Sequence, residues 1–363
     1  MAHTGMPGSG SAAPSADGEL ADGARIDTPD PRDGTACDVV GVLLLAACAC
    51  WAVYSSSGRD AQPEGTLLGL LAIAAGYATG RIAGAVLPVG APLAAAGAAA
   101  ALAPWTGAHL HDDDALAALL SLAVGAACCA GYAAQAHGMR RIARGCGALA
   151  VLLVAESLTT DSMLGPIACG GTLVVAVAVH RARRRVPALT LLSLCVLLTL
   201  GATVLLAQHS GATVTGPSPR AYGPVTQVSS QRLALWRDAV REFDQQPLRG
   251  VGPGRFTDVS PTALESTEPT GASSSALQTA AEQGLPGVLL LGAAFGWTLW
   301  TLARSPRPTA AVLSTAAAMA ALGVQATVAS VLSVAWVVVG GGLLLGMTAA
   351  RPMPRVRRER DPG

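Results

Sequence analysis

Lysine and asparagine are absent from the 363 residues, and arginine supplies all 24 fixed positive charges. Charged residues of both signs make up only 13% of the chain, where a soluble domain holds about one quarter. That shortage excludes an ordinary soluble enzyme, and an apolar fraction of 51% excludes a disordered chain. The formal net charge is +1, so no global field would gather nucleic acid, and no nucleic-acid partner is expected. Cysteine is present eight times, but no CxxC pair occurs and none falls within residues 208–284. Neither a disulfide framework nor a zinc site is supported, and the cysteines read as small apolar packing residues.

What is present is apolar sequence in long runs. A helix needs about 20 apolar residues to cross a bilayer. Ten candidate spans lie near residues 39–54, 66–79, 82–103, 115–134, 146–158, 163–180, 186–207, 284–303, 309–326 and 332–349. Many are rich in alanine and glycine, which lets helices approach closely in lipid. The expected fold is an all-α, polytopic membrane helix bundle. With the N-terminus cytoplasmic, fifteen arginines fall in the inner short connections and the C-terminal tail, against Arg59 alone in the short outer ones. The positive-inside rule therefore predicts an even number of spans with both termini cytoplasmic. Residues 1–37 are rich in small and polar side chains and read as a disordered cytoplasmic tail without signal-peptide character, so the first span is expected to be retained. Bundle segments are expected over 38–207 and 284–350, with a basic cytoplasmic tail over 351–363.

Residues 208–283 form the one long polar segment, and the topology places it outside. Its first part reads as loop. From Ser229, Leu233, Trp236, Val240 and Phe243 recur at helical spacing, opposite Arg237, Asp238, Arg241 and Asp244. This predicts an amphipathic helix ending before Pro247, either on the membrane surface or capping the bundle. Gly250, Gly252 and Gly254 follow, ending at Arg255 and Phe256. Such glycines allow positive φ, and the amides of such a turn can form an anion-binding nest, although a plain turn is the simpler reading. Ser275 and Gln278 have capping-box spacing, which predicts a short helix over 276–283 that stops at Gly284.

Three pieces of this segment, in order, resemble the O-antigen ligase/polymerase superfamily of polytopic membrane proteins. They are Arg232-Leu-Ala-Leu-Trp236-Arg-Asp-Ala239, the turn from Pro247 to Phe256, and the stretch from Ala272 to Gly287. The resemblance implies a membrane glycan transferase that moves a saccharide from a polyprenyl-pyrophosphate carrier to an acceptor hydroxyl during cell-envelope polysaccharide assembly. Its partners would be the carrier-linked glycan, an acceptor glycan or lipid, and the bilayer; no nucleotide, metal or other cofactor is implied. Arg232 would pair with phosphate, with Arg237, Arg249 and Arg255 as further basic candidates, Trp236 seating the helix at the interface, and Gly250, Gly252 and Gly254 shaping the turn. The third piece departs from the family pattern: Ser273 stands where the family has histidine. A serine hydroxyl is no general base by itself, so His209, Asp258, Glu265 or Glu268 would have to stand in, or the acceptor needs little activation, or the chain is a catalytically degenerate relative that binds lipid-linked glycan or scaffolds envelope enzymes.

Two other features stand apart. His109, His111 and Asp112 to Asp114 could in principle hold a divalent ion, although an acidic outer loop is more simply a solvated one. Glu156 closes the fifth span and reads as an interfacial residue. The spans show almost none of the charged or broken mid-membrane positions that a transporter needs.

Overall fold

The computed structural model describes residue 2 and residues 31–110, 112–160, 162, 164–178, 185–209, 230–265 and 271–351. Residues 1 and 3–30 of the N-terminal tail, the loop over 210–229, Glu268 and residues 352–363 lie outside the described residues. So do His111 and the side chains of His109 and His209.

Every regular element described is a helix. In chain order they are α1 (Pro31–Ser56), α2 (Glu64–Val86), α3 (Gly90–Leu110), α4 (Asp113–Ala136), α5 (Arg140–Ser157), α6 (Leu164–Ala178) and α7 (Arg185–His209). There follow α8 (Ser230–Gln245), α9 (Phe256–Val259), α10 (Pro261–Glu265), α11 (Ser275–Ala303), α12 (Thr309–Val328) and α13 (Ala335–Ala349). The ten expected spans fall on α1–α7 and α11–α13, the third lying across the end of α2 and the start of α3. Six helices are long and apolar enough to cross a membrane, and three shorter ones are apolar. The chain is a polytopic helical membrane protein.

Two boundaries differ from expectation. Helix α1 begins at Pro31, inside the stretch read as tail, because proline suits the first helical position, where its missing N–H is not needed. The third span begins at Gly90 rather than at residue 82. Residues 82–86 complete α2, and Leu87, with φ −126° and ψ 73°, leaves helical geometry because Pro88 disfavours the α region for the residue before it.

The helices alternate between two ends of the bundle. At the tail end, Arg81 pairs with Asp38 at 2.9 Å and also reaches the Ala349 carbonyl at 3.3 Å. Arg307 donates to the Gly84 carbonyl at 2.7 Å, and Arg185 to the carbonyls of Ser305 and Arg307 at 2.8 and 2.6 Å. These guanidinium groups satisfy carbonyls that helix C-termini leave without partners. The opposite end, the loop end, gathers the α1–α2, α3–α4, α5–α6 and α12–α13 connections with α8–α10.

Inside the bundle, α4 and α12 are the most enclosed helices, and their alanines permit close approach. Helices α2 and α13 run parallel and touch backbone to backbone. A Cβ added to Gly76, Gly80 or Gly84 would meet the carbonyls of Val339, Leu343 or Met347 at 2.5, 2.2 and 2.7 Å. Gly342 and Gly346 face the carbonyls of Ile73 and Tyr77 in the same way. This is the small-xxx-small seam that lipid, with no hydrophobic force between helices, requires for tight packing. Large apolar side chains such as Leu43, Leu71, Ile82, Val174 and Leu198 point outward and exposed, which suits hydrocarbon surroundings and would be an aggregation hazard in water.

Candidate functional site

Helix α8 is amphipathic as its periodicity predicts. Its buried side, Leu235, Trp236 and Ala239, joins Ala207, Phe256, Ala263, Ala272, Leu277 and Ala281 in a second core at the loop end. Trp236 is 1% exposed, so its indole fills this core rather than anchoring the helix at a lipid interface. Its Nε1 donates to the Ser273 carbonyl at 3.2 Å. The polar side is held as firmly. Buried Asp238 accepts from the Ser260 hydroxyl at 2.7 Å and the Thr262 amide at 3.1 Å, which ties α8 to the start of α10. Burial pushes the Asp238 carboxyl up, but the hydrogen bonds from Ser260 and Thr262 and the charge of Arg241 outweigh it and hold it below the ordinary carboxylate value.

Ser273 is the one described non-glycine residue with positive φ, at 50°. It turns the chain into α11. Ser274, not Ser275, is the N-cap: its hydroxyl accepts from the Leu277 amide at 3.3 Å and donates to the Thr327 carbonyl at 2.7 Å. Ser275 instead bridges to the α12–α13 connection, donating to the Ala329 carbonyl and accepting from the Leu332 amide at 3.0 Å. The expected cap is thus displaced by one residue, because the second serine is claimed by a tertiary contact.

Arg232, one turn before Trp236, lies in the same neighbourhood. Its Nη1 donates to the Val328 carbonyl at 3.3 Å, next to the carbonyl that holds Ser274. Its Nη2 pairs with Asp114 Oδ2 at 2.8 Å. The other carboxylate oxygen of Asp114 accepts from the Ser162 hydroxyl at 2.7 Å. So α8, the first turn of α4, the α5–α6 connection, the end of α12 and the entry to α11 converge on one spot. The acidic run at 112–114 is not simply solvated, and the two histidines of the candidate ion site lie outside the described side chains. Asp112 caps α4 through the Ala115 amide at 3.0 Å, and Asp114 pairs with Arg232.

The glycine turn forms a second, separate cluster. Gly250, Gly252 and Gly254 have φ of 62°, 109° and 76°, as the turn reading requires. Its amides are used internally. Val251 and Gly252 donate to the Ala281 and Glu282 carbonyls at 2.9 Å each, and the amides of Gly254 and Phe256 reach the buried Glu282 carboxylate. The nest therefore holds this chain's own carboxylate. Arg249 stacks on Tyr54 with 4.7 Å between guanidinium and ring centre and donates to the Tyr54 carbonyl at 2.8 Å. Arg59 donates to the Gly250 carbonyl, and Arg255 packs beside it at Gly252. Arg237 is exposed on α8. From Ser273 to Glu282 the rise of α11 spans about 14 Å, so the expected site residues divide between its two ends.

Glu282 lies within the third resembling piece but has no local sign of its role, and Asp114 lies 118 residues from its partner. Asp258 and Glu265 make no side-chain bond to Arg232 or Ser273 among the described residues.

The geometry now meets the comparison with known proteins. Residues 148–292 match the family model described as O-antigen ligase. Over that segment the chain is similar to O-antigen ligases. The matched segment runs from mid-α5 into α11 and contains Arg232, Trp236, the glycine turn and Ser273; it leaves out Asp114 and Arg59. The likeness carries a role in glycan transfer during envelope polysaccharide assembly. No curated protein matches the chain.

Proposed function

We propose that the chain transfers a saccharide from a polyprenyl-pyrophosphate carrier to an acceptor hydroxyl at the outer face of the cell membrane, with both termini cytoplasmic. The observation that carries this reading is the junction at Arg232. A half-exposed guanidinium in the family-matched segment is held by Val328 and Asp114 and remains open to solvent, with 30% of its side chain exposed. A preorganised cation at the edge of a membrane bundle can pair with pyrophosphate and offset the charge that develops on the leaving group. The acceptor would be a glycan or lipid hydroxyl. Ser273, beside this junction through Trp236, would line it. Arg237, Arg249 and Arg255 are the remaining basic candidates for substrate contact. Of these, Arg249 and the glycines at 250, 252 and 254 act chiefly by fixing the loop end against α1 and α11.

The test is turnover of the pool of polyprenyl-pyrophosphate-linked glycan in native membranes with and without the chain. Wild type should consume the carrier-linked glycan, and Arg232→Ala should slow this by about 10²–10³-fold, the usual cost of losing one charge-stabilising donor. If wild type leaves the pool unchanged, the transferase reading falls. A non-catalytic relative that binds the lipid-linked glycan or scaffolds envelope enzymes is then favoured, and Ser273 is the observation behind that alternative: its hydroxyl has no hydrogen-bonded base among the described residues.

A further inference from the structure

Transfer to a hydroxyl releases a proton, and the residues identified so far supply no group to take it. The carboxylates of the loop end can be sorted by what holds them. Asp238 is buried and committed to Ser260 and Thr262. Glu242 is buried beside Arg241 at 3.5 Å. Glu282 is buried under the glycine turn and accepts from Gln278 at 3.0 Å. Asp114 differs: it touches Arg232, and a quarter of its side chain is exposed, 25%.

We infer that Asp114 is the proton acceptor of this site. The inference rests on the transferase reading above. In the step, the acceptor O–H gives its proton to an Asp114 carboxylate oxygen, and the acceptor oxygen bonds to the anomeric carbon. The bond from that carbon to the pyrophosphate oxygen breaks, and its electron pair leaves with the carrier pyrophosphate, whose charge Arg232 meets. Protonated Asp114 then returns its proton to solvent. A carboxylate is basic enough for this task because glycosyl transfer passes through an oxocarbenium-like state in which the nucleophile loses its proton late. Arg232 serves both halves of the reaction. In the resting site it holds the Asp114 carboxylate in place at 2.8 Å, and when pyrophosphate arrives the same cation turns part of its charge to the phosphate.

Among the described residues, the charged and polar groups around Asp114 are few, and the last turn of α5 nearby carries Glu156. From α8 it meets Arg232, and from the α5–α6 connection the Ser162 hydroxyl. Its own helix adds Asp112, which caps α4, and Asp113. Helices α6 and α12 carry no charged residue.

Asp114→Asn decides between this role and a purely positional one. The Asn oxygen can still accept from Arg232, so a positional role would keep turnover near wild type. The inference expects carrier-linked glycan turnover in native membranes to fall about 10²–10⁴-fold, the usual range for a lost acid–base group, with thermal unfolding in detergent unchanged. Asp114→Glu is the second arm: it keeps a carboxylate on this turn of α4, so turnover should recover well above that of Asp114→Asn. An active wild type with an active Asp114→Asn protein, or an Asp114→Glu protein no more active than Asp114→Asn, overturns the inference and leaves the transferase reading standing. Wild type without turnover removes both.

Discussion

A single carboxylate shows how much one residue can hold at the loop end. Asp238 is 6% exposed and joins α8 to α10 through Ser260 and Thr262. Hydrogen bonds to a charged group contribute about 1.5–3 kcal/mol each. Because the folded carboxyl sits below its ordinary value, its stabilisation is complete above the unfolded pKa and is lost as pH falls through the folded one. The thermal midpoint of wild type should therefore exceed that of Asp238→Asn at neutral pH, and the gap should close as the detergent-solubilised protein is acidified through the carboxylate range. A gap independent of pH would show that the charge of Asp238 is not what matters. Ser274 and Ser275 illustrate the same scale. Their spacing announces a helix start, but which serine caps α11 depends on whether Thr327 or Ala329 lies opposite, and that information is not local.

Among the elements, α2 and α13 depend most directly on glycine. A side chain at Gly80 would stand 2.2 Å from the Leu343 carbonyl, so the two helices must separate to admit it. Gly69, on the same helix, has no atom within 4 Å of its added Cβ. Gly80→Ala should lower stability in detergent by about 1–3 kcal/mol, the usual cost of overpacking. Gly69→Ala should be neutral or slightly stabilising, since alanine is the better helix former. Equal behaviour of the two variants in thermal unfolding would remove the seam as a source of stability. That many spans are rich in alanine and glycine was legible, but the same abundance hid that Gly76, Gly80 and Gly84 form the seam and that α13 is their partner. Helix α11 is a contrasting case. Gly284 takes φ 67° and ψ −163°, a region open to glycine almost alone, and the Leu285 amide there donates to the Pro247 carbonyl at 2.7 Å. The break that divides the polar turn of α11 from its apolar length falls at the residue that sequence reasoning chose.

For the whole molecule, the alternation of ten helices between two ends makes orientation testable. In a background lacking the eight cysteines, Asp60→Cys, in the exposed α1–α2 connection, should react with a membrane-impermeant thiol reagent added to intact cells. His137→Cys, in the exposed α4–α5 connection, should react only after the membrane is opened. The reverse pattern would place the loop end in the cytoplasm and remove the proposed outer-face reaction. The same architecture explains why the loop-end chemistry is compact: one end of each of α1–α7 and α11–α13 meets α8–α10 there, around a core of alanine, leucine, Phe256 and Trp236.

The amino-acid sequence by itself determined the solvent this chain folds in, the approximate limits of most of its apolar helices, the amphipathic character of α8, the glycine turn and the break at Gly284. All of these follow from forces acting within a few residues: apolar run length, helical periodicity and backbone freedom. The tertiary structure alone decided that Arg232 meets Asp114 and Ser162, that the glycine turn closes on Glu282, and that Trp236 is core. Those pairings join residues dozens to more than a hundred positions apart, and they are set by which helix faces can be buried together. A local pattern has no term for that. The chemistry proposed here depends on such a pairing, a carboxylate on α4 and a guanidinium on α8, brought within 2.8 Å by the packing of the bundle.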